Sequence, residues 1–143
     1  MKLKHFATYY NKLLTFTRSV GYEVYVKSNE NFWEYSSKKK RIIIDDKASE
    51  ADQISGLLHE LGHLLDDAIH KGKLDKKYNR AVNNKNKMTK SQYDILMKVE
   101  RQAWNQGETI AKLLDIPLGK WYYLDKKKSL ATYRTYKPKD SNA

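Results

Sequence analysis

The chain has 143 residues, a length that suits a single domain with one modest hydrophobic core. It contains no cysteine, which excludes a disulfide framework and a thiolate metal site. The 28 lysines and arginines outnumber the 17 acidic residues, and the formal net charge of +11 favours acidic partners. Because the lysines are spread over loops and tails, a solubilising surface is the interpretation favoured over nucleic-acid binding.

The first ten residues include basic side chains, but no uninterrupted apolar segment follows them, so a signal peptide is not expected. No run elsewhere approaches the length needed to span a membrane. We therefore predict a cytoplasmic protein without a membrane partner. The oligomeric state cannot be inferred from these features.

The N-terminal third is predicted to form one helix and three short strands. Apolar residues recur at three- and four-residue spacing over residues 4–20, which is typical of an amphipathic helix. Residues 22–27, 32–35 and 41–45 are rich in β-branched and aromatic side chains and are predicted as strands, with a turn at 28–31. Short consecutive strands favour an antiparallel meander. The predicted fold is α+β, a small antiparallel three-stranded sheet packed against helices.

A longer helix is predicted from Glu50 to Asp67 or beyond, and it contains the sequence His59-Glu60-x-x-His63. Residues four apart point the same way from a helix, so the two imidazoles can hold one metal ion. Glu60 can then act as a general base on a water at the open side of the ion, the arrangement used by zinc peptidases. Apolar residues surround the motif, and buried polar groups need partners. The alternative is a set of polar side chains at the edge of the core.

Gly62 lies inside this helix, where glycine is about 1 kcal/mol less favourable than alanine. Its presence indicates that another element packs closely there or that something binds. Ser49 and Asp52 form an imperfect capping pair at the start of the helix.

Residues 71–90 are rich in lysine and asparagine and have little apolar periodicity. We predict a solvated basic loop, and the alternative is a loop that faces substrate or nucleic acid. From residue 120 onward, aromatic side chains alternate with lysines. One or two short helices are predicted there, with a frayed, disordered tail at 137–143.

A second long helix is predicted from Ser91 to Leu114, and it places Glu100 where the spacing demands an apolar side chain. A carboxylate in that position is costly without a counter-charge. Contact with a zinc ion already held by two imidazoles removes the difficulty and makes Glu100 the candidate third ligand. Glu108 lies outside the apolar stripe and is the weaker candidate. Pairing of Glu100 with a buried lysine or arginine remains the alternative.

A His-Glu-x-x-His helix followed by a helix with Glu100-x-x-Ala103 resembles the ImmA/IrrE family of zinc metallopeptidases. The resemblance covers residues 20–118 as architecture, but only the two short motifs are specific. Trp104 stands where many members have asparagine, and no attached helix-turn-helix or sensor domain is recognisable. The resemblance implies the following roles: Zn²⁺ ligands His59, His63 and Glu100, and general base Glu60.

The implied activity is that of a zinc-dependent metalloendopeptidase acting on a protein substrate. Family members cleave helix-turn-helix repressors of mobile elements and stress pathways, so a transcriptional repressor is the implied partner. The sequence favours extended binding of that substrate along the strand at 41–45. Two alternatives stay open: a non-catalytic metal-stabilised basic module that binds a protein or nucleic acid, and hydrolysis of a non-peptide substrate.

Residues just after the motif leave other roles undecided. A third histidine six positions after His63 would indicate a metzincin, but that position is Ile69. His70 is one residue too late, although it can lie near the site if the helix extends. Asp66 and Asp67 can either orient an imidazole or be solvated. With eleven tyrosines in the chain, the residue that stabilises the oxyanion is undetermined.

Overall fold

The computed structural model describes residues 2–28, 32–70 and 75–138. The predicted turn at 28–31 and the predicted frayed tail at 137–143 therefore lie largely outside the described residues. The described part of the chain contains five α-helices and three strands. They are α1 Phe6–Ser19, β1 Glu23–Lys27, β2 Glu34–Ser36, β3 Arg41–Asp45, α2 Glu50–Ile69, α3 Asp75–Asn83, α4 Lys90–Leu113 and α5 Lys120–Thr132. The predicted α+β class, with a three-stranded sheet packed against helices, is confirmed.

The sheet has the order β1-β3-β2, so the last strand in sequence lies in the middle. β3 pairs in parallel with β1, where Glu23 lies opposite Arg41, and antiparallel with β2, where Glu34 lies opposite Ile43. The predicted antiparallel meander is therefore wrong, because the sheet is mixed and β1 does not pair with β2. β3 takes the central place because its isoleucines at 42–44 are buried, whereas β1 is mostly exposed.

This strand order also corrects the predicted substrate-binding strand. β3, at residues 41–45, has a neighbour on both sides and so has no free edge to offer. β2 pairs only with β3 among the described strands. An extended peptide can therefore add to the sheet at β2 but not at β3.

The core lies between the sheet and the helices, and α2 and α4 form its most extensive helix pair. α2 begins at Ser49, whose hydroxyl accepts the backbone N–H of Asp52 at 3.1 Å, as the capping pair predicts. The core includes these fully buried side chains: Leu13, Ile42, Ile44, Ile54, Leu57, Leu58, Leu61, Ile110 and Tyr122.

Gly62 is the point of closest approach between α2 and α4. A Cβ atom added at Gly62 would overlap the backbone carbonyl of Ala103, and one added at Gly107 would lie 2.8 Å from the carbonyl oxygen of Leu58. The sequence-based expectation of close packing at Gly62 is thus confirmed. Only glycine lets the two helix backbones approach so closely at this level.

We expect Gly62→Ala to destabilise the protein by about 1–3 kcal/mol, because the added methyl forces the helices apart. Alanine has a higher helix propensity than glycine by about 1 kcal/mol, which acts in the opposite direction. The expected destabilisation is the net value after this gain is subtracted. Urea unfolding of the two proteins measures the difference. Lys112→Ala, on the exposed face of α4, is the control and should stay close to wild type. A more stable Gly62→Ala protein would contradict the close contact.

The segment at 71–90 corrects another prediction, since it is not a loop throughout. α3 occupies residues 75–83, and a short 3₁₀ helix follows at Lys85–Lys87. Tyr78, Ala81 and Val82 recur at helical spacing and pack in a small second cluster with Met88 and Leu96. Three apolar residues among many lysines form a weak signal, and tertiary packing decides the outcome.

The C-terminal part contains α5 and a 3₁₀ helix at Tyr133–Tyr136, as the prediction of one or two short helices requires. Tyr122 from α5 is fully buried, and its hydroxyl donates to the backbone carbonyl of Trp104 at 2.6 Å. No helix in the described ranges is both long enough and apolar enough to cross a membrane.

Candidate metal centre and its cleft

Three side chains from two helices converge at one point in the core. His59 and His63 come from α2 and Glu100 comes from α4. The Nε2 atom of His59 lies 2.9 Å from Oε2 of Glu100, and Nε2 of His63 lies 3.4 Å from the same oxygen. One ligand atom from each residue lies within 4.8 Å of the others. The structure therefore brings together the three side chains that the sequence singles out as metal ligands.

The close approach of the two helices explains how Glu100 reaches the imidazoles. Ala103 lies one turn after Glu100 on the same face of α4, and Gly62 directly precedes His63 on α2. Contact between the small residues Gly62 and Ala103 brings that face of α4 close to the motif.

The electrostatics of the cluster are those of a buried ion pair. Burial by itself would raise the pKa of Glu100, which is 1% exposed, but the His63 charge and hydrogen bonds from both imidazoles hold that pKa well below its usual range. Burial would lower the pKa of His63, but the Glu100 carboxylate outweighs it and raises that pKa to about 9. A metal ion bound here would take the place of the histidine proton.

The donor set fits a divalent cation. Two imidazole nitrogens and one carboxylate oxygen are the protein ligands of catalytic zinc sites of the two-histidine, one-glutamate type. Three protein ligands leave a fourth tetrahedral position for water. The set contains no sulfur ligand, in agreement with a chain that has no cysteine.

Glu60 lies at the edge of the same cluster and is 7% exposed. Its Oε1 atom is 4.0 Å from Nδ1 of His59, whereas Oε2 of Glu100 lies 2.9 Å from Nε2 of the same ring. Burial raises the pKa of Glu60 above its ordinary value, and the charges of both motif histidines oppose this effect. A carboxylate with a raised pKa suits proton transfer near neutral pH.

Two aromatic residues support the cluster, and sequence analysis assigned a site role to neither. Tyr78 of α3 donates a hydrogen bond from its hydroxyl to Oε1 of Glu100. Burial and the negative charge of Glu100 raise the pKa of Tyr78, so its hydroxyl remains a donor. The Trp104 ring stacks on His59 with centroids 4.4 Å apart and an interplanar angle of 9°. Its position, one residue after Ala103, is where the resemblance departs from the family pattern.

The other acidic candidate on α4 is engaged elsewhere. Glu108 pairs with Lys126 of α5, with Oε1 and Nζ 3.1 Å apart, and it lines neither of the cavities described below. The predicted alternative for Glu100, pairing with a buried lysine or arginine, is also wrong, because its described partners are two histidines and the tyrosines Tyr78 and Tyr133.

The residues after the motif have partners of their own. His70 ends α2 and places its Nδ1 atom 2.8 Å from the backbone oxygen of Asp66 and 3.4 Å from that residue's Oδ1. Asp67 accepts a hydrogen bond from the hydroxyl of Tyr35 at 2.9 Å. The carboxylates of Asp66 and Asp67 line the first of the two cavities described below, and His70 does not line it.

Two cavities open on either side of the cluster, with volumes of about 440 and 460 Å³. Four residues line both cavities: Trp33, His59, Glu60 and Tyr133. The first cavity extends along β2 and past the end of α2 to Tyr78 and Glu100. The second extends toward α5 and ends at Asp52, Ser55 and Asp125. Glu60 therefore lines both cavities.

The second cavity contains two neighbouring aspartates, Asp52 and Asp125, and the pKa of Asp125 differs from that of an ordinary aspartate. Ser55 donates a hydrogen bond to Asp125. Burial raises the pKa of Asp125 to about 6, and a hydrogen bond with Asp52 adds to the effect. A raised carboxyl pKa means that the folded state binds this proton more tightly than the unfolded state. The contribution of protonated Asp125 to the free energy of unfolding is therefore fully present below about pH 4. It is lost as the pH rises through 6.

We expect Asp125→Asn to be more stable than wild type at pH 7.5 and to lose this advantage near pH 4, where the wild-type carboxyl is protonated. The shift corresponds to at most about 3 kcal/mol. Because Asp125 is partly exposed, we expect about 1 kcal/mol, or 2–4 °C in melting temperature. Thermal unfolding at both pH values measures it, with the exposed Asp94→Asn as control. Equal melting temperatures at pH 7.5 would contradict the assignment.

Comparison of the chain with models of known protein families, with curated proteins and with solved structures finds no match. The resemblance to zinc metallopeptidases therefore depends on the two short motifs and on the arrangement of the residues that they contain.

Proposed function

We propose that this protein is a zinc-dependent metalloendopeptidase of the ImmA/IrrE type. The observation that carries the proposal is the convergence of His59, His63 and Glu100, within 4.8 Å of one another, beside the buried carboxylate of Glu60. The three converging side chains come from two helices that are distant in sequence. Such an arrangement is difficult to explain by core packing, since it buries four ionisable groups together.

Zn²⁺ is the proposed cofactor, held by His59, His63 and Glu100. When bound, it supplies a Lewis acid that activates water and polarises the substrate carbonyl. Glu60 takes a proton from the attacking water and returns it to the leaving amine. Trp104 keeps one face of His59 dry by stacking on it and so fixes the ring plane.

The shape of the cleft supports cleavage within a chain rather than at its end. Glu60 lines both cavities, so a polypeptide that occupied both would extend to both sides of the hydrolysed bond. β2 contributes Glu34, Tyr35 and Ser36 to the wall of the first cavity and has a free edge in the described sheet. An extended substrate would add to this edge through backbone hydrogen bonds.

The proposed substrate is a protein, and the family resemblance makes a helix-turn-helix repressor the first candidate. The test uses purified zinc-loaded protein and a library of unstructured peptides, with products located by mass spectrometry. We expect internal cleavage that stops with o-phenanthroline and continues with the non-chelating m-phenanthroline isomer. Absence of metal-dependent cleavage of both peptides and candidate repressors would reject the proposal.

The net charge of +11 supports a second candidate, a metal-stabilised module that binds a protein or nucleic acid without catalysis. This candidate predicts stoichiometric metal, no peptide cleavage and DNA binding that weakens steeply as salt increases. The peptidase predicts cleavage whose rate depends on Glu60. The two functions are therefore separated by one cleavage assay and one salt titration.

A further inference from the structure

We propose that Tyr78 is a positioning residue that orients Glu100 as a metal ligand. This inference rests on the metal site of the proposed function, and it assigns a task to α3, a segment for which the sequence indicates only a basic loop. It concerns a residue outside both motifs that carry the family resemblance.

The two oxygens of Glu100 have different partners. Oε2 faces the imidazoles, at 2.9 Å from His59 and 3.4 Å from His63. Oε1 accepts the hydrogen bond that the Tyr78 hydroxyl donates. The carboxylate is thus held from both sides, and rotation about its last bond would break the tyrosine contact.

Burial makes this contact important, because Glu100 is 1% exposed and water cannot easily replace the lost donor. Tyr133 also donates a hydrogen bond to Glu100, but loss of the Tyr78 donor would remove the described restraint on Oε1 and leave the carboxylate freer to turn that oxygen toward the histidines. The hydrogen bond from Tyr78 therefore selects one orientation and keeps Oε2 directed at the place where a metal would bind. Loss of a group that orients a metal ligand in this way typically weakens metal affinity about 10- to 100-fold.

The position of Tyr78 is itself determined by packing. Tyr78 packs against the small cluster of Ala81, Met88 and Leu96, which joins α3 to α4. Its ring centroid lies 5.9 Å from that of His63. The hydroxyl thus reaches Glu100 from a helix that packs on α4, so docking of α3 and orientation of the ligand depend on the same side chain.

The test is the zinc affinity of Tyr78→Phe, which removes the hydroxyl and keeps the ring and its packing. We expect the Kd for Zn²⁺, measured by competition with a chromogenic chelator, to rise about 10- to 100-fold. Tyr93→Phe is the matched control, because Tyr93 packs in the same cluster and has no described hydrogen bond to Glu100. Its Kd should equal that of wild type. The visible absorption spectrum of the Co²⁺-loaded protein should change in Tyr78→Phe and not in Tyr93→Phe.

The outcomes separate this inference from the proposed function. Wild-type zinc affinity and an unchanged Co²⁺ spectrum in Tyr78→Phe would overturn the inference and leave the peptidase intact. Equal weakening in both tyrosine variants would also overturn it, because the effect would then come from the cluster as a whole. Weaker zinc in Tyr78→Phe alone, with no proteolysis by wild type, would support the inference and reject the peptidase. Absence of zinc binding by wild type would overturn both.

Discussion

Glu60→Gln is expected to bind zinc as tightly as wild type and to hydrolyse peptides about 100- to 10,000-fold more slowly, the usual contribution of a general base. Glutamine has the same shape but cannot accept a proton from water. Glu60 is not one of the three converging ligands, so metal binding should be unaffected. Initial cleavage rates and zinc content of the same preparation measure the two properties.

Glu108→Gln is the matched control for this substitution. It makes the same chemical change on α4, at a residue that pairs with Lys126 and lines neither cavity. We expect wild-type cleavage and wild-type zinc. If Glu60→Gln also cleaved at the wild-type rate, the base would have to be another residue of the cleft. If it lost zinc, Glu60 would be acting as a ligand.

Glu100→Gln is expected to lose zinc during dialysis, with an affinity more than about 100-fold below wild type, since removal of a ligand exceeds the effect of removing a supporting residue. The neutral amide retains the volume of the side chain, so the packing of α4 should be preserved. Metal analysis after dialysis and chelator competition measure the loss. Far-ultraviolet circular dichroism establishes that the helices remain.

His63→Ala should lose zinc to a similar extent, because it removes another member of the same converging set. Glu108→Gln again serves as the control and should remain stoichiometric. Full zinc occupancy in Glu100→Gln, together with loss in His63→Ala, would identify a different third ligand. Asp66 and Asp67, which line the same cavity, would then be the next residues to test.

Several parts of the fold could be predicted from local pattern because short-range periodicity determines them. The limits of α1, α2 and α4 agree with the sequence within two residues, and β3 agrees residue for residue. The order of the strands could not be predicted in this way. The strand order depends on which strand buries both of its faces. β3 lies in the centre of the sheet because its isoleucines are buried.

The same distinction between local pattern and tertiary packing applies to the residues of the candidate site. The spacing of His59 and His63 on one helix, and the misplaced charge of Glu100 on another, are properties of the sequence itself. The sequence around Tyr78 hardly indicates a helix or a role in the site. This helix has few apolar residues, and it is stabilised by packing against α4 rather than by its own propensity.

The sequence alone determined the α+β class, the motif helix and the identity of three candidate ligands, since each follows from residue type and helical spacing over one element. Only the tertiary structure decided the mixed sheet, the identity of α4 as the element that packs against Gly62, and the contact of Tyr78 with Glu100. Those features join residues that are distant along the chain. Such contacts form where burial and backbone approach permit them, and no local pattern encodes which distant partner will be met.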